Sequence, residues 1–427
     1  MLVVVGILIF FFGLLFSIAW HELGHLAAAK LFGIKVTQYM VGFGRTIWSR
    51  KKGDTEYGIK MIPFGGYIRM IGMFPPKKDE KYGRTASSAP WRAMIEDARQ
   101  MSAEEITPED AHKQFYQRSP WKRIIVMVAG PVMNLILAVI IFAGILMGHG
   151  MLTPTTTVSA VSECVLPANA PVTDRCPADA PPSPAAAAGF RPGDRILEFN
   201  GKPYTTWEDL QLAIRSSTGP VPVVVERAGQ RVTLTPDLMQ NQMPKIGSTS
   251  EYETVGFLGL TPTQVLVKQD IGGVVSTIGG FVSLTAEKVV ELPQRVPDLV
   301  SAIFGGERHA DSPVGIVGAS RLGGEVLASD EIGVDARIML MFNLLAGVNL
   351  SLFVFNMLPL LPLDGGHIAG ALWESIRRGF NKLFRRPDPG PFDTARLMPL
   401  AYAISLIFIA YSLLVLVADV VNPVKLF

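Results

Sequence analysis

Apolar residues are unevenly spread along this chain of 427 residues. They collect in four blocks, Leu2–Trp20, Ile124–Met147, Ile338–Leu361 and Leu397–Val417, separated by long polar stretches. Each block is close to the roughly 20 residues that cross a bilayer as a helix. The pattern therefore predicts a polytopic α-helical membrane protein with four transmembrane helices. A weaker apolar stretch, Ile271–Leu284, is short and rich in Gly, Ser and Thr, which predicts an amphipathic or interfacial element. The first block is not expected to be a cleaved leader. Such a leader needs a basic start, and no Lys or Arg precedes Lys30.

Two of the polar stretches carry strand patterns. Over Gly33–Met73, apolar and polar residues alternate among many glycines, with a basic turn at Arg50–Gly53. This predicts β-hairpins, whose edge along Tyr57–Ile62 is expected to accept an added strand from another chain. In the second stretch, Ala187–Asn200 reads AAGFRPGDRILEFN. Helical spacing follows over Trp207–Ile214, then two alternating strands, Val221–Arg227 and Gln230–Leu234, around Ala228-Gly229. That order resembles a circularly permuted bacterial PDZ domain over residues 157–260, with a Pro- and Ala-rich insertion. The expected division is a first span over 1–30, a hairpin region and loop over 31–123, a second span over 124–147 and the PDZ-like unit. A linker over 261–337, a third span over 338–370, a basic loop over 371–396 and a last span over 397–421 complete it.

Composition agrees with a membrane protein, at 49% hydrophobic and 18% charged residues. A net charge of +2, with no basic patch interleaved with aromatics, argues against a nucleic-acid partner. Basic residues set the orientation. Arg50, Lys51, Lys52, Lys77, Lys78, Lys122 and Arg123 lie before the second span, and Arg377, Arg378, Lys382, Arg385 and Arg386 before the last. Both loops are expected to be cytoplasmic, with the two termini and the PDZ-like unit outside. Cys164 and Cys176 share that outer stretch. They would pair in an oxidising compartment, in a loop whose closure stabilises by roughly 3 kcal/mol; two free thiols are the alternative.

The chemistry gathers at the end of the first block. His21-Glu22-Leu23-Gly24-His25 is an H-E-x-x-H sequence. On a helix the two histidines lie four residues apart on one face, where two imidazoles bind one zinc and the adjacent Glu acts as base. Zinc lowers the pKa of a bound water toward about 7. Catalytic zinc usually takes three protein ligands, so another must come from elsewhere. The third block ends in Asn356-Met-Leu-Pro-Leu-Leu-Pro-Leu-Asp364-Gly-Gly-His367. Its prolines break the helix near the same leaflet, and Asp364 is the candidate third ligand. Ligand types alone would also permit cobalt or iron.

H-E-x-x-H together with N-x-x-P-x-x-P-x-D-G, and Gly130-Pro-Val-Met-Asn134 in the second block, resembles the site-2 protease family. The layout is similar to bacterial regulator-of-sigma proteases with one PDZ module, as in actinobacteria. The resemblance implies a zinc metalloendopeptidase cutting within membrane spans. His21, His25 and Asp364 would bind Zn2+, Glu22 would be the base, and Asn356 would hydrogen-bond the substrate backbone or the developing oxyanion. Gly130 and Asn134 are expected to pack helices, and His367 to support the site without being a ligand. His112, His149 and His309 are read as ordinary loop or interface residues. The implied partners are the bilayer and single-span substrates such as anti-sigma factors, already trimmed by a site-1-type protease. The implied location is the bacterial inner membrane, and the PDZ-like unit would exclude untrimmed substrates. The competing reading is a catalytically silent PDZ-bearing scaffold with a structural metal.

Overall fold

The structure, a computed structural model, describes residues 1–75, 95–97, 99–100, 102, 106–166, 176–177, 180–246, 252–308, 312–329 and 332–424. Lys77, Lys78 and His309 lie outside the described residues. The chain divides into two compact units. One holds residues 1–145, 272–308 and 312–427; the other centres on 146–271.

In the first unit, α1 (Leu2–Leu31) begins at the chain's most apolar run and carries no charge before the H-E-x-x-H turn. At ~1.5 Å per residue it is long enough to cross a bilayer with a turn to spare. Helix α2 (Pro120–Ala143) starts with Pro at its first turn, where a missing N–H costs nothing. The two helices approach closely at Gly24, where a Cβ would lie 2.3 Å from the Ala129 carbonyl oxygen. Small residues permit such contacts where helices associate in lipid.

Between α1 and α2, β1 (Val36–Lys52) and β2 (Thr55–Met70) pair in more than one register. Residues 38–41 pair both with 56–59 and with 66–69, while 46–52 pair with 55–60. The two long strands thus fold into a four-run sheet in the order 46–52, 55–60, 36–41, 66–70. This corrects the expected edge. Residues 57–60 lie inside the sheet with neighbours on both sides, and the edge runs are 46–52 and 66–70. The doubling back uses Gly42 and Gly44, both at positive φ.

Among the described residues, five helices are long and apolar enough to cross a membrane, against four expected. The additional one spans Ile271–Ile303, through α4 (Ile271–Glu291) and α5 (Val296–Ile303). A shorter helix, α6 (Ile316–Ala328), packs on the start of α1, where a Cβ on Gly6 would meet Gly323 and Gly324 at 2.8 Å. Helix α7 (Val334–Asn356) is the third expected span and α9 (Met398–Val421) the last, with α8 (Asp364–Leu383) between them. Residues 371–383, expected as part of a basic loop, are thus helical. Their exposed Leu372, Ile376, Phe380 and Leu383 repeat at helical spacing between the charges. Buried Glu374 of α8 pairs with Arg123 of α2 and accepts from the Phe392 N–H at 2.8 Å.

In the second unit, β3 (Met151–Val161), β4 (Arg195–Phe199), β5 (Val223–Arg227) and β6 (Gln230–Leu234) form a sheet with β9 (Leu260–Val267), ordered β9-β3-β4-β5-β6. A helix, α3 (Trp207–Arg215), is capped by the Thr206 hydroxyl. Strands β7 (Asp237–Pro244) and β8 (Tyr252–Phe257) pair separately. Ile196, Phe199, Leu210, Val223 and Val225 form the dry centre. Arg227 grips the buried Asp194 carboxylate with two hydrogen bonds of 2.7 and 2.8 Å. Cys164 and Cys176 form a disulfide.

Candidate active site

Helix α1 presents His21 and His25 on one face, as the spacing of four requires. Both are buried, and their rings meet edge to face with centroids 4.8 Å apart. Asp364 reaches them from the first turn of α8, where a helix N-terminus favours a carboxylate. The turn 357–363 folds back tightly on this helix start. A Cβ on Gly365 would lie 2.0 Å from the Leu358 oxygen, and one on Gly366 2.6 Å from the Leu361 nitrogen. The glycines after Asp364 are therefore what let the aspartate sit where it does.

The three donor atoms form a nearly equilateral triangle. His21 Nε2 lies 3.1 Å from His25 Nε2, and Asp364 Oδ2 lies 3.3 and 3.2 Å from the two. Tetrahedral zinc with bonds of about 2.0–2.1 Å places its ligand atoms roughly 3.3–3.4 Å apart. The residues fit zinc without rearrangement. Asp364 Oδ2 is also buried without a hydrogen-bond partner, an acceptor that a cation would satisfy. His21, His25 and Asp364 make up the one potential metal cluster found among the described residues. His367 is outside this group.

Glu22 points to the same region, buried beside the sheet. A Cβ on Gly66 would lie 3.0 Å from Glu22 Cγ, and the backbone of Ile68 is within hydrogen-bonding reach of its carboxylate. The edge run 66–70 therefore passes directly alongside Glu22. Asn356 is the last residue of α7 and donates to Leu352 oxygen at 3.0 Å, within its own helix. It makes no hydrogen bond to the triangle.

Gly130 and Asn134 do more than pack helices. A Cβ on Gly130 would fall 2.1 Å from His25 Nε2, so α2 forms the floor of the site. Asn134 Nδ2 sits 3.2 Å from His21 Nδ1, and His25 Nδ1 lies 2.8 Å from the Val126 oxygen. The sequence marked both residues as a motif. The pairing of α1 with α2 that carries them to the histidines was not visible in it. Tyr39 also escaped notice; its hydroxyl donates to the Ala19 oxygen at 2.7 Å and ties the sheet to α1.

Residues 9–385 match the model of peptidase family M50. The chain is 34% identical over 442 residues to zinc metalloprotease Rip1 of Mycobacterium tuberculosis, covering the whole of both chains. It is 33% identical to Rip1 of Mycolicibacterium smegmatis, over 99% of each. Metalloprotease MmpA of Caulobacter vibrioides is 29% identical over 88% of each. With a zinc-fitting triangle at the end of an apolar helix, and these relatives, the chain belongs to peptidase family M50, the site-2 proteases, and is a multi-pass membrane zinc metalloprotease.

Proposed function

We propose that His21, His25 and Asp364 hold the zinc and that Glu22 is the general base for peptide hydrolysis within membrane spans. The donor triangle carries this reading. When bound, zinc supplies Lewis acidity and an activated water. Glu22 takes a proton from the attacking water and returns it to the leaving amine. A structural metal site has no need of such a base, which argues against a silent scaffold. General acid–base groups contribute about 10²–10⁴-fold. Glu22→Gln should therefore keep parental zinc content and lose cleavage of a single-span substrate by that factor, while His21→Ala should lose zinc. Cleavage retained by Glu22→Gln would overturn the assignment.

Asn356 ends its helix near the break before Asp364, and we assign it to the substrate backbone. Asn356→Ala should lower kcat more than zinc affinity; loss of zinc instead would make it structural. The edge run 66–70 beside Glu22 supports pairing with an unwound substrate. A photo-crosslinker at Tyr67 should capture substrate and one at Ile59 should not; the reverse pattern would count against it.

The topology we favour keeps four spans, α1, α2, α7 and α9, in the bacterial inner membrane with both termini outside. Supporting this, the ring of Phe281 of α4 meets that of Phe142 near the end of α2 in a tilted pair, and Leu299 of α5 packs on Val415 and Ala418 near the end of α9. Both helix ends lie on the side away from the basic loops. The α4–α5 stretch then enters and leaves on one side. Cysteine accessibility at Val290 from the cytoplasm would contradict this. The strand–helix–hairpin order of the second unit supports a PDZ module that screens anti-sigma-like substrates for prior trimming by a site-1-type protease. Its deletion should raise cleavage of untrimmed substrates, and unchanged cleavage would rule the screen out.

A further inference from the structure

Each imidazole of the H-E-x-x-H turn faces α2 with its Nδ1 atom. His25 Nδ1 lies 2.8 Å from the Val126 carbonyl oxygen. A carbonyl can only accept, so His25 carries its hydrogen on Nδ1 and leaves Nε2 with a free lone pair. That is the tautomer a metal ligand needs. His21 also turns its Nε2 into the donor triangle, 3.1 Å from His25 Nε2 and 3.3 Å from Asp364 Oδ2. Its Nδ1 therefore has the same need of an acceptor.

The group that meets His21 Nδ1 is the Asn134 amide, fully buried, with Nδ2 at 3.2 Å. Asn134 Oδ1 is buried and has no hydrogen-bond partner. With Nδ2 on Nδ1, the amide donates and the ring hydrogen is left on Nε2, where it blocks metal binding. A half-turn of the amide exchanges oxygen and nitrogen with almost no change of shape. The oxygen then accepts from Nδ1–H in place of the bond that Nδ2 made, so the number of hydrogen bonds is unchanged while the ring hydrogen leaves Nε2.

We propose that Asn134 is a positioning residue that holds His21 in its metal-binding tautomer, with the amide oxygen turned to Nδ1 in the zinc-loaded protein. This rests on the reading of His21 as a zinc ligand. The spacing fits. Gly130 lies under His25 and Asn134 beside His21, so a separation of four on α2 matches the separation of four on α1. An amide also accepts without adding a third carboxylate to a site that already holds Glu22 and Asp364, where each further buried charge is costly.

The test is zinc affinity of the full-length protein in detergent, by competition with a chromogenic chelator, for the parent, Asn134→Leu, Asn134→Asp and His21→Ala. Loss of an outer partner of a ligating histidine weakens metal binding by about 10–100-fold. That loss is expected for Asn134→Leu. Asn134→Asp supplies an acceptor that cannot donate, and should bind zinc at parental affinity or tighter. A pure packing role predicts the opposite for aspartate. Parental affinity in Asn134→Leu, or a loss in Asn134→Asp as large as in Asn134→Leu, would overturn the inference. Should Asn134→Leu not fold, the aspartate variant decides alone. Parental zinc affinity in His21→Ala would instead sink the ligand reading itself, so the two failures are separable.

Discussion

Replacing Gly130 by alanine adds one methyl group at the floor of the proposed zinc site. Its carbon would stand 2.1 Å from His25 Nε2 and 2.6 Å from both adjacent ring carbons. Ordinary contact begins at 3.4 Å, so the ring and the helix must separate by about 1.3 Å, where metal–ligand distances tolerate about 0.2 Å. The ring cannot simply swing away, because Val126 holds its Nδ1 from the same helix. A misplacement of ~1 Å at a reacting centre costs about 10²-fold, and overpacking costs about 1–3 kcal/mol of stability. Gly130→Ala should therefore fold, lose zinc under chelator competition, and cleave a single-span substrate at least about 10²-fold more slowly. Gly144→Ala, at the C-cap of the same helix, meets nothing within 4 Å and is the control, expected to match the parent. Zinc content and cleavage would be measured on the same samples. A Gly130→Ala protein that is less stable yet keeps its zinc and cleaves within about threefold of the parent would refute the reasoning.

Buried Glu374 pairs with both Arg123 and, at 2.9 Å, Arg378. Removing Glu374 strands the buried Arg123 and should cost about 3–5 kcal/mol in denaturant unfolding. Removing Arg123 should cost less because Arg378 still pairs with the carboxylate, and a double apolar replacement of Arg123 and Glu374 should cost less than the sum of the singles. In the second unit, burial opposes ionisation of Asp194, but the Arg227 fork outweighs it and holds the carboxyl below the usual carboxylate range. Its stabilisation is present above about pH 3.9, the unfolded value, and is lost as pH falls through the folded pKa. Hydrogen-exchange protection of β4 and β5 should fall accordingly on acidification, and Asp194→Asn should be weaker at pH 7 and flat over that range. Chelation should lower the thermal midpoint, since a ligand held at 100 times its Kd stabilises by about 2.7 kcal/mol; an unchanged midpoint would deny the metal a role in joining α8 to α1.

The candidate site was more legible than the fold around it. Both histidines, Glu22 and Asp364 stand in short motifs whose spacing has a direct geometric meaning. The glycines beside them were visible only as motif letters, because what a missing Cβ makes room for depends on the neighbouring helix. Helix α4 was hard to read because its Gly pairs interrupt the apolar run, and Val274 is its only buried residue. Helix α8 was hidden for another reason. Its apolar residues are exposed among arginines, so a reading by charge finds a loop where a reading by period finds a helix. The sheet was read as hairpins, but two strands serving as four runs require register shifts that alternation cannot encode.

Helix α8 joins two things that sequence motifs treat separately. Its first turn carries Asp364, and further along it turns Leu372, Trp373, Ile376 and Phe380 outward. Such a face suits the boundary between headgroups and acyl chains; with α8 resting there, the lipid would set the height of Asp364, the proposed third ligand. The place of cutting would then be measured from the membrane surface, like a depth gauge, as well as from the substrate's sequence. Thinning the hydrocarbon layer by about 3 Å brings each surface roughly 1.5 Å nearer the midplane, the rise of one helical residue. Mapped across bilayers of different acyl length, the cleaved bond should step along the substrate at that rate.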